Sequence, residues 1–170
     1  DGGATIGVEI AADHMVTVLL DLSGGVRGQS IIALAPDGQG PDVVPGLAAT
    51  EVRKLQATLG ADSNSLLGVG VVMPGPFEIE GMSSVGPATL PGWTGVDPAP
   101  LFAKATDQHV VVENDATAAV VGERLYGAGR QLSNFCYLYF GVGLGLGVIQ
   151  DGRPVRGAFG NAGEIGHVGL

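Results

Sequence analysis

Three short segments of the chain combine residue types that could hold or react with a polar ligand. The first is Glu113-Asn114-Asp115-Ala116, predicted to lie where a buried strand ends and a helix begins. Ligands of open α/β sheets bind outside the carboxyl ends of the strands. An amide beside a carboxylate can hold a polyol there, with Asp115 accepting a hydroxyl proton. The alternative is that Asn114 or Asp115 only caps the helix.

The second segment is Gly141-Val142-Gly143-Leu144-Gly145-Leu146-Gly147. Glycines at alternate positions let backbone N–H groups approach phosphate oxygens, which makes Gly143, Gly145 and Gly147 candidates for a phosphate loop. No Lys-Ser/Thr pair follows, and the spacing differs from that of a dinucleotide-binding fingerprint. The alternative is a glycine-rich hairpin whose glycines only permit tight packing.

The third segment holds Glu164 and His167, which a helical turn would place on one face. The pair could bind a sugar hydroxyl or a metal ion, although a closed zinc site needs four ligands. The alternative is a surface glutamate beside a structural histidine. We interpret His14 and His109 as structural. The single cysteine, Cys136, lies in an apolar run and is predicted to be a buried structural thiol rather than a nucleophile.

The elements that must position these segments change in character along the chain. The first third predicts an antiparallel meander of three strands, followed by a helix with apolar residues at helical spacing. These elements cover residues 4–12, 15–22, 26–34 and 46–59. Residues 66–73 form a continuous apolar run, which predicts a strand buried on both faces.

Alternating helices and strands follow. Asp97-Pro98 predicts a helix start that leads to about residue 106, with Asp97 as the N-cap. The remaining predictions are a strand at 109–112, a helix at 115–126, strands at 135–140 and 145–150, and a hairpin turn at 151–152. In the helix at 115–126, Ala118, Val121 and Leu125 mark the predicted apolar side. The order predicts an α/β architecture with a mixed sheet.

Composition excludes several classes of function. Eight Lys and Arg residues against 17 Asp and Glu residues give a net charge of −9, which disfavours contact between this segment and nucleic acid. No apolar run reaches the ~18 residues of a membrane span, and no signal peptide opens the chain. We therefore expect a cytoplasmic protein with no membrane partner. The 30 glycines among 170 residues show no three-residue period, which excludes a collagen-like chain.

Taken together, the segments resemble the ROK family (repressor, open reading frame, kinase) of actin-like sugar kinases. The resemblance covers nearly the whole chain and departs at Phe140, where an aliphatic residue is usual. It rests on Pro74-Gly75-Pro76, Leu90-Pro91-Gly92-Trp93, Glu113 to Ala116, the glycine-rich run at 143–148, Gly157, Gly163 and Gly166-His167. It implies an α/β, actin-like (ribonuclease H-like) sugar kinase fold. Residues 1–113 would be the N-terminal lobe, and residues 114–170 the incomplete beginning of a second lobe.

The resemblance also implies roles for single residues. Asn114, Asp115, Glu164 and His167 would bind the sugar, and Asp115 would be the general base in kinase members. Gly143, Gly145 and Gly147 would form the phosphate loop. His167 would be the first zinc ligand, joined in the family by a cysteine cluster that this chain does not reach. We therefore expect a zinc site in the full-length protein and an incomplete one here.

The decisive departure from the kinases lies near the start of the chain. Kinase members carry Asp-x-Gly-Gly-Thr-Lys, where this chain has Glu9-Ile10-Ala11-Ala12-Asp13-His14. The glycines, threonine and lysine that would approach and neutralise phosphate are replaced, and Asp13 adds negative charge. Because phosphoryl transfer depends on positioning and charge stabilisation, we expect efficient ATP use to be lost.

This loss predicts the regulator branch of the family (the NagC/XylR type). The chain would be the sugar-sensing effector domain of a transcriptional regulator, binding a small sugar or amino sugar. DNA would be bound only by a helix-turn-helix domain outside this chain, and the full-length protein would be a homo-oligomer. The alternatives are an ATP-dependent glucokinase-like or N-acetyl amino sugar kinase-like enzyme, and a scaffold with neither activity.

Overall fold

A computed structural model of the chain describes residues 2–60, 65–75, 90–140, 143–157 and 162–167, without the His167 side chain. The described part contains eight strands, three α-helices and one short 3-10 helix at Ile165–His167. The strands are β1 (Ala4–Ile10), β2 (His14–Asp21), β3 (Val26–Ala33), β4 (Leu66–Met73), β5 (Val110–Asn114), β6 (Phe135–Phe140), β7 (Leu144–Gln150) and β8 (Arg153–Pro154). The α-helices are α1 (Val44–Ala57), α2 (Pro98–Thr106) and α3 (Asp115–Tyr126).

The first sheet is mixed, as the sequence predicts. Its five strands lie in the order β3-β2-β1-β4-β5. The first three strands form the predicted antiparallel meander, and β4 and β5 join parallel to β1. The carboxyl ends of β1, β4 and β5 therefore meet at one edge, where the register pairs Glu9 with Val72 and Met73 with Asn114. Ligands of α/β sheets bind at such an edge.

Helices α1 and α2 pack together against the first sheet and build the core with it. Alternate residues of β1, such as Ile6 and Val8, are buried in the same core cluster as Val52 of α1 and Phe102 of α2. Helix α2 begins as predicted, because the Asp97 carboxylate accepts a hydrogen bond from the Ala99 N–H over 3.0 Å.

Trp93 anchors the segment that precedes α2. Its ring stacks on Phe102 with centroids 5.9 Å apart, and its indole N–H donates to the Gln39 carbonyl over 2.6 Å. The indole is fully buried, and it therefore has both an apolar partner for its ring and an acceptor for its N–H. Leu90 and Pro91, just before it, are held beside the carboxyl edge of the sheet.

The second sheet has the order β6-β7-β8 and is antiparallel throughout. Asp151 and Gly152 connect β7 to β8 with φ angles of 51° and 75°, which is the left-handed geometry of a two-residue hairpin turn. The predicted turn is therefore confirmed. Helix α3 packs on β6 and β7 and so links the second sheet to the end of β5.

Two predictions about burial are wrong, because periodicity does not reveal which neighbour covers a face. Strand β4 is fully buried on one face only: Val69, Val71 and Met73 belong to the core, whereas Gly70 and Val72 on the other face are half-buried. Leu67, before the irregular pairing with β1, is 60% exposed. In the described part of the chain, the buried face of β4 shares its core with residues of α1 and α2, such as Val52 and Phe102.

The predicted apolar side of α3 is also wrong. Ala116, Thr117 and Val120 are its buried residues, and Leu125 is 54% exposed. Small residues turn inward because the helix approaches β7 closely.

Cys136 is exposed rather than buried. Strand β6 alternates strictly, and Cys136 lies on the same outward side as Leu138 and Phe140. The apolar composition of the run predicted burial, but α3 covers only the other side.

Among the described residues, no helix is long and apolar enough to cross a membrane. The lobe boundary between residues 113 and 114 stays a prediction. Residues 76, 87–89, 141–142 and 168–170, on which some of the predicted motifs fall, lie outside the described part of the chain.

Candidate functional site

A cavity of about 470 Å³ opens at the carboxyl edge of the first sheet. It is bounded by the end of β1 and its turn into β2, the start of α3, the approach to β7 and residues 164–166. Its ionisable side chains, within the described residues, are Glu9, Asp115, Tyr139 and Glu164. The walls are apolar and include Ile10, Pro74, Leu90, Pro91 and Leu144.

Asp115 is placed by the junction of β5 and α3. Asn114 caps the helix: its side-chain oxygen accepts from the Thr117 N–H over 3.2 Å. Asn114 therefore caps α3, but its second contact, with Glu164, means that the alternative in which it only caps the helix is not confirmed. Asp115 follows as the first helical residue, and its Oδ1 accepts from the Ala116 N–H over 2.7 Å. Positive charge at a helix N-terminus favours an acidic residue here.

Two glycines near Glu164, Gly163 and Gly166, pack closely against β7 and so position Glu164. A Cβ on Gly163 would overlap the Leu146 carbonyl, and one on Gly166 would come within 2.6 Å of the Leu144 oxygen. Only glycine allows this approach, and Gly163 also adopts a φ of +90°. The segment is pinned because the Leu146 N–H donates to the Gly163 carbonyl over 2.9 Å.

Asn114 joins these two positions. Its amide nitrogen donates to Oε1 of Glu164 over 3.3 Å, while its oxygen caps α3. Asn114 is 5% exposed, so both ends of its buried amide are used. The structure thus brings Asn114, Asp115 and Glu164 together, as the sequence predicts.

The electrostatics of the cavity are dominated by carboxylates. Burial raises the pKa of Asp115 to about 6, and the negative charges of Glu164 and Glu9 raise it further against the Ala116 hydrogen bond. Asp115 can therefore exchange a proton near neutral pH, which suits a group that accepts a hydroxyl proton. None of the described residues lining the cavity is Lys, Arg or His.

Glu9 and Tyr139 line the candidate site, although the sequence analysis did not single them out for it. The Tyr139 hydroxyl donates to Oε1 of Glu9 over 3.2 Å. Burial, followed by the charges of Glu9 and Asp115, raises the pKa of Tyr139 to about 12. Glu9 carried one signal, since it is the acidic residue near the end of the first strand. Tyr139 carried none, because its partner lies 130 residues away.

The turn from β1 to β2 contains the residues that the sequence analysis aligned with the phosphate-binding segment of kinase members. Ala11 and Ala12 line the cavity, and the Ala11 N–H donates to the His14 carbonyl over 2.9 Å. Asp13 does not line it. Its side chain is 84% exposed and bonds the His14 ring over 2.6 Å, which lowers the pKa of Asp13.

The glycine-rich segment has a packing role. A Cβ on Gly145 would lie 2.9 Å from the Ala116 Cβ, and one on Gly147 would overlap Ala116 and Val120. Gly143 meets nothing within 4 Å and borders the cavity. Gly145 and Gly147 therefore do permit tight packing, which is one part of the alternative interpretation. The phosphate-loop role of the three glycines stays a prediction.

No metal centre is formed by the described residues: nowhere among them do three or more His, Cys, Asp or Glu side chains gather to hold an ion. The side chain of His167, the predicted zinc ligand, lies outside the described residues. His14 and His109 do not line the cavity. The zinc prediction is therefore untested.

Comparison with known proteins identifies the family. The ROK family pattern matches residues 5–170. The xylose repressor of Caldicellulosiruptor bescii is 29% identical over 98% of this chain and 41% of its own length. Among solved structures, a ROK family transcriptional regulator, a homolog of the E. coli MLC protein, is 25% identical with a TM-score of 0.75, over 98% of this chain and 41% of that one.

A ROK family glucokinase from Streptomyces griseus, solved with glucose and AMPPNP, is 26% identical with a TM-score of 0.79. The match covers 99% of this chain and 51% of the enzyme. The chain thus spans about half the length, or less, of these relatives. Its fold is the actin-like fold of ROK sugar kinases, as predicted, and both regulators and kinases are among its relatives. This chain is part of a ROK domain and belongs to the ROK family.

Proposed function

We propose that this chain is the sugar-binding effector domain of a ROK transcriptional regulator. The observation that carries the proposal is the cavity, in which Glu9, Asp115 and Glu164 surround a pocket without a cationic side chain among its described residues. The ligand that suits such a pocket is uncharged and rich in hydroxyl donors.

A sugar suits both the carboxylates and the apolar walls of this cavity. Its hydroxyls can donate to the carboxylates, and hydrogen bonds to charged groups are the stronger ones. Its C–H faces can pack on Leu90, Pro91 and Leu144. The cavity volume of about 470 Å³ falls within the range of small-molecule sites.

The same cavity is poorly suited to ATP. The turn at Ala11 and Ala12 has Cβ atoms where glycines would let phosphates approach the backbone, and no lysine is among the described residues that line the cavity. Two like charges about 4 Å apart repel by roughly 4 kcal/mol at an effective dielectric constant of about 20. With three carboxylates present, triphosphate binding would need compensating cations.

Regulation would follow from differential binding. A sugar shifts a conformational equilibrium only if it binds one state more tightly than the other. Here the carboxylates come from β1, α3 and the segment after β8, so a bound sugar would connect the first sheet to α3 and to that segment. Operator DNA would be contacted by a different part of the complete protein, which fits the net charge of −9 on this chain.

The test uses the complete protein and three probes: D-xylose, D-glucose and N-acetyl-D-glucosamine. Thermal melting with each sugar should show stabilisation by at least one of them. Addition of MgATP to that sugar should release no ADP above the protein-free control. The absence of stabilisation by all three sugars, over a concentration range up to 50 mM chosen for the assay, would contradict the proposal.

A sugar kinase is the second candidate, favoured by one observation. Asp115 has a pKa of about 6 and borders the cavity, which suits a general base acting on a sugar hydroxyl. The Streptomyces griseus relative is a glucokinase. ADP release that requires both the sugar and Asp115 would establish this candidate instead.

Zinc and oligomerisation belong to the same proposal. His167 would be a zinc ligand in the complete protein, where the metal would order the segment that carries Glu164. Metal analysis of the purified complete protein, beside a His167→Ala variant, tests this ligand. Sedimentation of the same sample tests the expected homo-oligomer.

A further inference from the structure

Among the described residues, one side-chain hydrogen bond joins a strand of the first sheet directly to a strand of the second across the cavity. The donor is Tyr139, near the end of β6, and the acceptor is Glu9, near the end of β1. Both residues line the cavity with Asp115 and Glu164. The sequence assigned neither of them a ligand-binding role.

The bond leaves Glu9 with unused acceptor capacity. A carboxylate has two oxygens and about four lone-pair sites. Tyr139 occupies Oε1, and within the described part of the chain the Glu9 side chain makes no other hydrogen bond. Oε2 is therefore available to a ligand hydroxyl.

The bond also determines where this carboxylate points. Without a donor, Glu9 would face the negative charges of Asp115 and Glu164 and would gain by rotating toward solvent. The Tyr139 phenol is a rigid donor on a well-formed strand. Holding a binding group in place before the ligand arrives reduces the entropy lost on binding. The pKa of Tyr139, about 12, keeps its phenol protonated, so Tyr139 remains the hydrogen-bond donor at neutral pH.

We propose that Tyr139 is a positioning residue for Glu9, and that Glu9 so oriented is a further sugar-binding carboxylate of this cavity. The inference rests on the proposed sugar-binding function. It assigns part of the recognition to a pair that lies on the β1 side of the cavity, opposite the predicted group of Asn114 and Glu164.

The test is a double-mutant cycle on sugar affinity in the complete protein, measured by titration calorimetry with D-xylose, D-glucose and N-acetyl-D-glucosamine. Glu9→Gln should weaken binding of the preferred sugar about tenfold or more, since a charge-assisted hydrogen bond is lost. Tyr139→Phe should weaken it about three- to tenfold. The double variant should bind no more weakly than Glu9→Gln alone, because Tyr139 acts through Glu9.

Two further variants complete the test. Glu9→Asp keeps the charge but withdraws it from the phenol, so it should behave like Tyr139→Phe. Tyr137→Phe is the matched control, because Tyr137 is the same residue type on the same side of β6 and does not line the cavity. Its sugar affinity should equal that of the unchanged protein.

The outcomes separate this inference from the proposed function. Additive losses in the double variant would overturn it, and so would a Tyr139→Phe protein that melts earlier but binds sugar with unchanged affinity. The latter result would make the bond a structural link only. A protein that binds none of the three sugars would overturn the proposed function, and the role of the pair with it.

Discussion

Two features of its surroundings act in opposite directions on the charge of Asp115. It begins α3, where a negative charge is favoured, yet it lies in a cavity where burial and two further carboxylates oppose that charge. The result is a pKa of about 6 instead of 3.8. Such a residue is retained at a cost in stability, which is common where side chains serve a ligand.

This conflict predicts a pH dependence with a definite sign. Between about pH 4 and pH 6 the folded chain holds a proton on Asp115 that the unfolded chain has lost, so this group makes stability fall as pH rises through that window. Asp115→Asn does not titrate. The melting temperature of Asp115→Asn minus that of the unchanged protein should therefore increase as pH rises from 4 to 6. This difference should become constant above about pH 7.

Asp21 provides a control of opposite sign. Hydrogen bonds from the Ser23 hydroxyl and the Gly25 N–H hold the pKa of Asp21 at about 2. Its stabilising contribution is present above about pH 4 and is lost as pH falls toward 2, so the deficit of Asp21→Asn should shrink on acidification. A pH-independent difference between Asp115→Asn and the unchanged protein would contradict the assigned environment of Asp115.

At the scale of the elements, the N-cap residue of α3 makes a second contact, at the candidate site, that distinguishes it from the N-cap residue of α2. Asn114 caps α3 and also contacts Glu164, whereas Asp97 caps α2 and does not line the cavity. Asn114→Ala and Asp97→Ala should each lower the free energy of unfolding by about 1 kcal/mol. Only Asn114→Ala should also weaken sugar binding.

Chemical denaturation and sugar titration of both variants provide the measurement. Equal loss of sugar affinity in the two variants would mean that Asn114 acts through helix stability alone. Unchanged affinity in Asn114→Ala would mean that its contact with Glu164 has no part in recognition.

The contact between α3 and β7 predicts a second element-scale result. Gly147→Ala would force a methyl group against the Ala116 carbonyl and Val120, and overpacking of this kind costs about 1–3 kcal/mol. Gly143→Ala is the control, because its Cβ would meet nothing within 4 Å. Denaturant midpoints should drop for Gly147→Ala alone, and equal midpoints would contradict the described packing.

Most elements of the fold could be predicted from the sequence because their signals are local. Asp97-Pro98 starts a helix through its own side chains, and Asp151-Gly152 turns through its own backbone. Burial could not be predicted in this way. Leu67, Leu125 and Cys136 are exposed because no neighbouring element in the described part of the chain covers them.

The residues of the candidate site also divide into those with a local sequence signal and those without one. Asn114 and Asp115 are adjacent, and a strand end before a helix start is visible in the sequence. Glu164 was found through its motif. Glu9 and Tyr139 meet only because two sheets approach each other, and no local pattern reports such a contact.

At the scale of the whole molecule, the first sheet is linked to the second sheet, and to the segment that follows it, by side-chain hydrogen bonds around the cavity. Tyr139–Glu9 and Asn114–Glu164 bridge it, and Arg156 binds Glu113 over 2.8 Å just outside it. Each of these bridges ends on a carboxylate. A ligand that competes for or completes such bonds changes how firmly the sheets are joined, which is the property that a sensing domain requires.

The central claim is that this cavity binds a sugar without transferring phosphate to it. Titration calorimetry of the complete protein with its preferred sugar, in the presence of MgATP, tests both parts in one measurement. We expect discrete heats that saturate as the site fills and a baseline that returns to its starting value after each injection. Sustained heat flow that grows with sugar concentration would reveal turnover and would contradict the account.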